Sequence, residues 1–596
     1  MLMKSKRRLL ILADLLLIVG LVVFGNPYPR QLLFGPTIQG VPLCAWQEDL
    51  RRQYAPSVTD RYWSRVIKWF GVKTAPIDWQ NVSNSERVTI AISLADDPSP
   101  KVRQAVCRGL YMATSKEAFA ALIRLLDDEK EKVREQAAIS LRSVNPSNID
   151  GAADRIKPFL KHSDPHRRIL AIGCLGWSPL HKDSLAAYVA TLKGMFHDSD
   201  AKVRAAAIER FGLGTLKNRR TVKAIVPMLR EHLLDTDPIC RIEAACALCN
   251  LRSASPDVLA VLRAGLADGN PRHRLAVVRR LLFMGNVCAK VFDELVICAK
   301  MGDVWEAKNS AIKALGNCGK RAVPFLTAHM RDPKSEAPNT ALEALGVIGA
   351  EASDAVPFLL TKLANDDERL SEWSLVEVLG EIGPSAKAAM PALLAMLAEK
   401  KQTSFRQHVI VALGKTCGGA EDVIDRLIAF LNEGAEGEMV LHYAAAEGLA
   451  HAGPGAKKAV PSLIRWPKSS ESGIHHYAAA LGSIGAEAKE AVPELIIRLG
   501  DGNALVIKAL GQIAHDAPKV VPALLPFLNA KYEPHWRFRT IVVQSLAHFG
   551  PDAAAAIPAL TTLLDDDDEE LAEAAAAALA AIDPARYPKW NGTLEK

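Results

Sequence analysis

The sequence predicts an all-α protein made of stacked helix pairs, and three observations carry that prediction. A leucine, once replaced by phenylalanine, recurs at a mean spacing of about 33.5 residues, a period typical of repeat arrays. Many units show the same order of a proline, an acidic turn and an apolar helix that is often rich in alanine. Aromatic residues make up only 6% of the chain against 49% hydrophobic residues, a composition that suits closely packed helices.

The repeated position defines the number of units. In the second unit it is Leu141, seven residues after Arg134. Its fifteen members are Leu110, Leu141, Leu175, Phe211, Leu248, Leu281, Leu315, Leu345, Leu379, Leu413, Leu449, Leu481, Leu510, Leu546 and Leu579. We therefore predict about fifteen helix pairs over residues 86–585. Each pair has an apolar face that it cannot cover alone, and the next pair covers it.

Within a unit, the helix boundaries follow from local signals. Pro357 in AVPFLLTKL suits the first turn of a first helix, where a missing N–H costs nothing. The acidic turn ANDDE separates it from a second helix that ends near Leu379, with Gly383 just beyond. A glycine also follows many of the repeated leucines, which suits a close approach between helices or a helix end.

Several of these segments resemble a known repeat. DDEKEKVREQAAISL, DSDAKVRAAAIERF and DPSPKVRQAVCRGL resemble HEAT repeats, specifically the short HEAT-like class of the phycobilisome lyases, and AVPELIIRL resembles the first helix of that class. The resemblance covers roughly residues 86–585 and implies a right-handed α-α superhelix, a HEAT-like solenoid. GVPLCAWQEDL is similar to a segment that precedes such arrays in membrane-anchored bacterial proteins.

The resemblance also implies a structural role for the arginine of the Val-Arg dipeptide, which in the family links neighbouring turns through an aspartate. The matching residues are Arg103, Arg134 and Arg204, with Arg168, Arg241 and Arg274 as less clean matches. In the second half other residues stand at this position, namely Lys308, Pro338, Glu372, His442, Ile474 and Asn503, with Arg406 and Arg539 as exceptions. We expect the links between turns there to be weaker or made by other groups.

The N-terminus predicts a membrane anchor. Residues 1–8 form a basic tail, and residues 9–25 form an apolar run that spans about 25 Å as a helix. We predict an uncleaved, single-pass transmembrane signal anchor, with the basic tail in the cytoplasm and the solenoid outside it. A cleaved signal peptide and a soluble N-terminal helix stay open as alternatives.

Two segments outside the repeats complete the predicted organisation. Residues 26–85 hold Trp46, Trp63, Trp69 and Trp79, and we predict a linker and an aromatic-rich cap over the first repeat. A membrane-adjacent aromatic belt or a docking surface is the alternative. Residues 586–596 form a C-terminal tail.

A search for catalytic or metal-binding motifs gives none. The chain has no phosphate-binding loop, no HExxH motif and no pair of CxxC motifs. Cys240, Cys246 and Cys249 lie on one predicted helix as core thiols, and His475 and His476 point in different directions. We predict no catalytic residue, no metal site and no cofactor, although a lyase-type or glycosylase-type enzyme on a HEAT-like solenoid is an alternative.

The net charge of +6 is unevenly distributed. Residues 1–80 carry about +6, residues 81–330 about +12 and residues 331–596 about −12, and such an asymmetry concerns partners rather than fold. Candidate anion-binding residues in the basic half are Arg219, Arg220, Arg272, Arg274, Arg279 and Arg280. A solvated face plus the repeat arginine explains the same residues without a ligand, and head-to-tail self-association is a further hypothesis.

These observations favour a membrane-anchored scaffold that mediates protein–protein interaction. A stack of helix pairs offers a long groove rather than a closed pocket, and we expect an unidentified protein partner to bind along the inner groove formed by the second helices. Polyanion or nucleic-acid binding by the basic first half is the alternative. The anchor and the acidic second half argue against nucleic acid.

Overall fold

The repeated leucine or phenylalanine positions are the buried centre of the second helices. In the computed structural model, all fifteen lie in an α-helix or directly after one, and none is more than 5% exposed. Helices that alternate along the chain as first and second members of a pair confirm the predicted all-α solenoid of helix pairs. Its handedness stays a prediction.

The structure describes residues 37–38, 41–42, 83–111, 115–143, 152–175, 182–212, 219–301, 304–365, 369–399, 402–432, 439–465, 473–500, 502–529, 538–566 and 568–588. The predicted basic tail at 1–8, the anchor at 9–25, almost all of the predicted cap at 26–85 and most of the C-terminal tail at 586–596 lie outside this part of the chain. Two short strands, β1 (Thr37–Ile38) and β2 (Val41–Pro42), pair in antiparallel fashion. The chain forms two compact units, Met1–Gly265 and Leu266–Lys596.

The helices of the first unit alternate between first and second members of each pair. They are α1 (Asn84–Ser93), α2 (Pro100–Gly109), α3 (Lys116–Leu125), α4 (Glu131–Ser143), α5 (Ala152–Ile156), α6 (Pro165–Cys174), α7 (Lys182–Met195), α8 (Ala201–Gly212), α9 (Arg219–Glu231), α10 (Pro238–Asn250) and α11 (Pro256–Leu266), which ends at the unit boundary. Short 3-10 helices, Lys157–Lys161 and His232–Leu234, extend α5 and α9.

The second unit continues the alternation. Its helices are α12 (Pro271–Leu281), α13 (Gly285–Cys288), α14 (Phe292–Lys300), α15 (Trp305–Leu315), α16 (Val323–Arg331), α17 (Pro338–Ile348), α18 (Val356–Ala364), α19 (Glu372–Ile382), α20 (Met390–Glu399), α21 (Thr403–Thr416), α22 (Glu421–Asn432), α23 (Met439–Ala452), α24 (Val460–Ile464), α25 (Ile474–Ile484), α26 (Val492–Ile497), α27 (Ala504–Ile513), α28 (Ala517–Leu524), α29 (Phe538–Ala547), α30 (Ile557–Thr562) and α31 (Glu569–Ile582).

Short 3-10 helices join many of these elements. They are Ala289–Val291, Gly316–Ala322, Gly349–Ala355, Gly383–Ala389, Gly453–Ala459, Gly485–Ala491, Leu525–Leu528, Gly550–Ala556 and Leu563–Asp565. Gly383 begins one of them with φ of 70° and ψ of −144°, a conformation that a residue with a Cβ rarely adopts. The glycine just beyond the second helix therefore ends it and turns the chain toward the next first helix.

Side-chain caps fix where the second helices begin. Asp237 accepts hydrogen bonds from the backbone N–H groups of Ile239 and Cys240 at the start of α10. Asp164, Asn270, Ser371, Asn503 and Asp568 cap α6, α12, α19, α27 and α31 in the same way. Each cap satisfies backbone donors that the helix itself leaves without a partner.

Small residues bring successive second helices into close contact. A Cβ on Gly414 of α21 would overlap the backbone of Gly448 on α23, and a Cβ on Gly511 would lie 2.6 Å from the Cα of Ser545. Both Gly414 and Gly511 directly follow a repeated leucine. Close helix approach therefore accounts for the glycine at this position, while the helix end is made by a later glycine such as Gly383.

One helical stretch of the described residues, Pro338–Ala364, is long and apolar enough by composition to cross a membrane. It comprises α17, a 3-10 helix and α18, and Gly349 interrupts it with φ of 66°. Leu342, Leu345 and Leu359 along it are fully buried. These are the properties of core helices of a repeat.

Candidate binding groove

The arginine of the Val-Arg dipeptide forms a ladder along the turns, here called the arginine ladder. Arg103 donates to the backbone carbonyls of Asp97 and Pro98 in its own turn, at 2.7 and 3.1 Å. Its Nε and Nη2 also donate to the carboxylate of Asp128 in the next turn, at 2.6 and 2.9 Å. One buried guanidinium thus stabilises its own turn and connects two repeats.

Other rungs of the ladder repeat this geometry. Arg168 donates to Asp198 at 2.9 and 2.7 Å, and Arg204 donates to Asp235 at 2.9 and 2.8 Å. Arg539 donates to the Asp566 carboxylate at 2.8 Å in the second unit. Each aspartate of the first unit also accepts a backbone N–H from the residue two positions on, as Asp198 does from Asp200.

The aspartates are held ionised by these contacts. Hydrogen bonding from Arg204 is the main cause that holds the pKa of the Asp235 carboxyl well below its usual range, against the opposing effect of burial. At Asp128 and Asp198 burial opposes ionisation most strongly. Hydrogen bonds from arginine and backbone N–H groups together outweigh burial and lower both pKa values. The ladder therefore consists of charged partners at neutral pH.

One rung of the ladder is incomplete. Arg134 donates to the carbonyls of Asp128 and Glu129 in its own turn at 2.8 and 3.1 Å, but the aspartate of the next turn is replaced by His162. His162 Nδ1 accepts the backbone N–H of Asp164 at 2.9 Å, so it keeps the turn contact of the missing carboxylate. Nε of Arg134 is buried and has no hydrogen-bond partner among the described residues.

The remaining predicted ladder arginines are held in their own turns. Arg241 donates to the carbonyls of Asp235 and Thr236 at 2.7 and 3.1 Å. Arg274, which is 1% exposed, donates to the carbonyl of Asp268 at 2.5 Å. In the second unit other groups link the turns, for example Lys308 with Glu336 at 3.5 Å.

The predicted anion-binding arginines occupy different environments. Arg219 and Arg220 begin α9, and Arg274 is buried in the ladder. On α12, Arg272 is exposed, Arg280 is half-buried, and Arg279 forms an ion pair with Glu306. The six residues therefore do not form one free basic cluster, because Arg274 and Arg279 are already engaged within the second unit.

The second helices α19, α21 and α23 form a groove that the sequence search did not identify. It encloses about 200 Å³ and is lined by Glu377, Gly380, Gln407, His408, Val411, Ala412, Lys415 and Glu447. The small residues Gly380 and Ala412 form its floor. They pack closely, since a Cβ on Gly380 would lie 3.2 Å from the Ala412 Cα. This volume is below that of pockets for drug-sized ligands, so it suits side chains of a polypeptide better than a metabolite.

Aromatic side chains flank the groove. The ring of Trp373 lies 4.1 Å from that of His408, and the ring of Tyr443 stacks on that of His476 at 5.2 Å and 12°. Trp373 precedes Glu377 by one helical turn, and Tyr443 precedes Glu447 in the same way. Each aromatic ring therefore shares a helix face with a carboxylate.

The polar atoms of the groove are mainly hydrogen-bond acceptors. His408 Nδ1 donates to the carbonyl of Ser404 at 2.8 Å, which leaves Nε2 as an acceptor in the neutral ring. Lys415 is engaged by Glu381 at 2.6 Å. Glu377 has no ion-pair partner in the described part of the chain. The groove therefore favours a ligand that donates hydrogen bonds and carries positive charge.

The sequence does contain a signal for this groove, which appears when equivalent positions of different repeats are compared. Trp373 and Tyr443 both stand six residues before a repeated leucine, and Glu377 and Glu447 both stand two before it. Motif searches miss this pattern because its residues come from units that are not adjacent in sequence.

One group among the described residues has the composition of a metal site, Glu131, Glu135 and His166. Nε2 of His166 lies 3.7 and 3.8 Å from the two carboxylates. A metal-bound neutral ring would carry its proton on Nδ1, which is buried without a hydrogen-bond partner in the described part of the chain. The ring therefore lacks the acceptor that usually orients a metal-bound histidine, and we assign no metal to this contact between neighbouring repeats.

Cysteines in the described residues are buried free thiols, namely Cys107, Cys174, Cys240, Cys246, Cys249, Cys288, Cys298, Cys318 and Cys417. Burial raises the pKa of the Cys107 and Cys174 thiols to about 12. The prediction of core thiols at Cys240, Cys246 and Cys249 is confirmed. Cys44 lies outside the described residues.

Four segments of the chain match the family of HEAT repeats, residues 88–150, 188–282, 222–316 and 501–580. HEAT repeats are thus present in these segments of the chain. The candidate groove lies between the third and the fourth matched segment, where the HEAT-like helix pairs continue. No curated protein matches the sequence significantly.

Several solved structures are similar to this chain. Importin beta in an ammonium sulfate condition is 12% identical, with 90% of this chain and 88% of that chain covered at a TM-score of 0.45. Yeast importin-beta (Kap95p) is 13% identical, with 91% and 83% covered at 0.42. The karyopherin Kap121p bound to the SUMO protease Ulp1p is 14% identical, with 91% and 74% covered at 0.40. At these identities and scores, no functional residue transfers to this chain.

Proposed function

We propose that this protein is a scaffold that binds a protein partner along the surface formed by its second helices. The observation that carries the proposal is the groove on α19, α21 and α23, which is lined by side chains of successive second helices. Small residues such as Gly414 and Gly448 bring these helices together, so that neighbouring repeats present one continuous surface. A long surface with small grooves suits a macromolecule.

The alternative of polyanion binding by the basic half has less support. Of the arginines that suggested it, Arg274 is buried in the ladder and Arg279 pairs with Glu306. The ladder residues Arg103, Arg168 and Arg204 are likewise bound to aspartates. These arginines are therefore not available to a polyanion.

The test of the scaffold function is site-specific photo-crosslinking with the full chain in its native cells. p-Benzoylphenylalanine replaces Val347 or Val411, which lie on second helices, or Ala395 or Ala398, which lie on α20, a first helix. We expect one partner protein to be crosslinked from Val347 and Val411 and not from α20. Crosslinking from α20 alone, or equally from both faces, would contradict the proposal.

We also propose that the scaffold is anchored in a membrane by residues 9–25, with its body outside the cytoplasm. The basic tail followed by about 17 apolar residues supports this topology. The assignment to the phycobilisome-lyase class of repeats, with a right-handed superhelix, is likewise proposed from the repeated motifs. Protease added outside a sealed cytoplasmic membrane should digest the body, and full protection until the membrane is lysed would disprove this topology.

A further inference from the structure

The candidate groove includes two matching subsites. The first consists of Trp373, Glu377 and His408, and the second of Tyr443, Glu447 and His476. Each histidine stands five residues before a repeated leucine, in the unit that follows its aromatic partner. The second subsite therefore uses the same positions as the first, two repeats further along the chain. Both subsites lie in the second compact unit.

Both subsites combine the same chemistry. An aromatic ring contacts a histidine at 4.1 or 5.2 Å, and a glutamate lies one helical turn from the ring. Glu377 is exposed and the Glu447 side chain is 43% exposed, with His476 at 3.9 Å as its one ion-pair partner among the described residues. A carboxylate beside an aromatic face binds ammonium or guanidinium groups through an ion pair and a cation–π contact.

The spacing of the subsites sets the length of the ligand. They are separated by two helix-to-helix steps, from α19 to α21 and from α21 to α23. Packed helices lie about 8–10 Å apart, so the subsites lie roughly 16–20 Å apart. An extended peptide rises about 3.3 Å per residue and covers this distance in about five or six residues.

We propose that the groove binds an extended segment of the protein partner and that its two subsites hold two lysine or arginine side chains, five or six residues apart. This inference rests on the proposed scaffold function. The net acidic character of the groove, where Lys415 is neutralised by Glu381, provides the charge complementarity. Glu377 and Glu447 supply the carboxylates, and Trp373 and Tyr443 supply the aromatic faces.

The test uses a fluorescein-labelled Gly/Ser peptide of about fifteen residues that carries two arginines six positions apart. Binding to the full-length protein in detergent is followed by fluorescence anisotropy. We expect saturable binding that weakens at least about ten-fold when both arginines are glutamine. We expect a loss of about five-fold when the arginines are moved to two positions apart, because one subsite is then empty.

The variant of the groove is Glu377→Gln with Glu447→Gln, and its matched control is Glu487→Gln with Glu490→Gln. The control changes two exposed carboxylates outside the groove and keeps the same net charge. We expect the groove variant to bind the peptide about ten-fold more weakly and the control to bind within two-fold of the parent protein. Circular dichroism establishes that both variants are folded.

Two results with the groove variant would overturn the inference. One is an equal loss of peptide binding in the groove variant and its control, which would indicate bulk charge attraction. The other is a dimer that dissociates in the groove variant, which would assign the groove to a second copy of this chain. If the protein does not bind the peptide while crosslinking from Val347 and Val411 persists, this inference is wrong and the scaffold function stands. If the crosslinks are also absent, the scaffold function is wrong.

Discussion

The guanidinium of Arg204 donates two hydrogen bonds to the carboxylate of Asp235, which lies 31 positions further along the chain. The Asp235 side chain is only 6% exposed, so its charge depends on this partner. Substitution Arg204→Met should lower the free energy of local unfolding by about 3 kcal/mol, because it removes the guanidinium from this buried carboxylate and leaves His232 Nδ1, at 3.2 Å, as a side-chain partner. Hydrogen exchange of the amides in α8 and α10 measures this change.

The matched control is Arg124→Met, which removes an exposed ion pair with Asp96 at 3.4 Å. Exposed pairs contribute less than about 1 kcal/mol, so this variant should exchange almost as the parent protein does. Equal effects of the two substitutions would show that burial of the Arg204 pair has no energetic importance.

The incomplete rung predicts a stabilising substitution. His162→Asp places a carboxylate at the position that Asp128, Asp198 and Asp235 occupy in other turns, and it gives Nε of Arg134 an acceptor. We expect a gain of about 1 kcal/mol, seen as a rise in the midpoint of thermal unfolding. His162→Asn, which accepts the turn N–H without a charge, should gain less. A gain that persists after Arg134→Met would mean that the new carboxylate acts in another way.

The contact between second helices predicts a strong effect of one methyl group. Gly414→Ala should destabilise the second unit by about 2 kcal/mol, because the new Cβ meets the backbone of Gly448 rather than a movable side chain. Gly194→Ala on α7 is the control, since no atom of the described residues outside its own helix turn lies within 4 Å of its added Cβ. Helix propensity alone should make Gly194→Ala neutral or stabilising by up to about 1 kcal/mol. Urea denaturation followed by circular dichroism compares the two.

The aspartates of the ladder predict acid sensitivity. The pKa values of Asp128, Asp198 and Asp235 are lowered in the folded protein. Their stabilisation is present above the unfolded pKa of about 3.9 and is lost as pH falls through the lower folded pKa values. Unfolding measured from pH 5 to pH 2 should show this loss, and Asp235→Asn should make the dependence shallower. An unchanged pH dependence in that variant would disprove the role of Asp235.

Sequence reasoning predicted the fold well because one physical requirement repeats. Leu379 and its fourteen equivalents must be buried, and the proline, acidic turn and glycine that surround them recur with them. The roles of Arg103, Arg168 and Arg204 followed from resemblance. The defect at Arg134 was not predicted, because it becomes visible only when the turn with His162 is placed beside it.

The groove escaped prediction for a different reason. Trp373, Glu377 and His408 carry no motif, since each is an ordinary surface residue of its own helix. Their proximity results from the stacking of units, which converts a distance of about 33 residues in sequence into one helix spacing. Comparing equivalent positions two units apart detects such sites, whereas a local search does not.

Gly414 and Gly448 meet on one side of their helices, while Trp373, Glu377 and Tyr443 occupy positions that play no part in that contact. Mutations that alter the ligand preference can therefore accumulate without loosening the stack. Because packing and surface positions are separate, a chain of this kind can acquire new partners by exchanging a few surface residues per repeat while its fold stays the same.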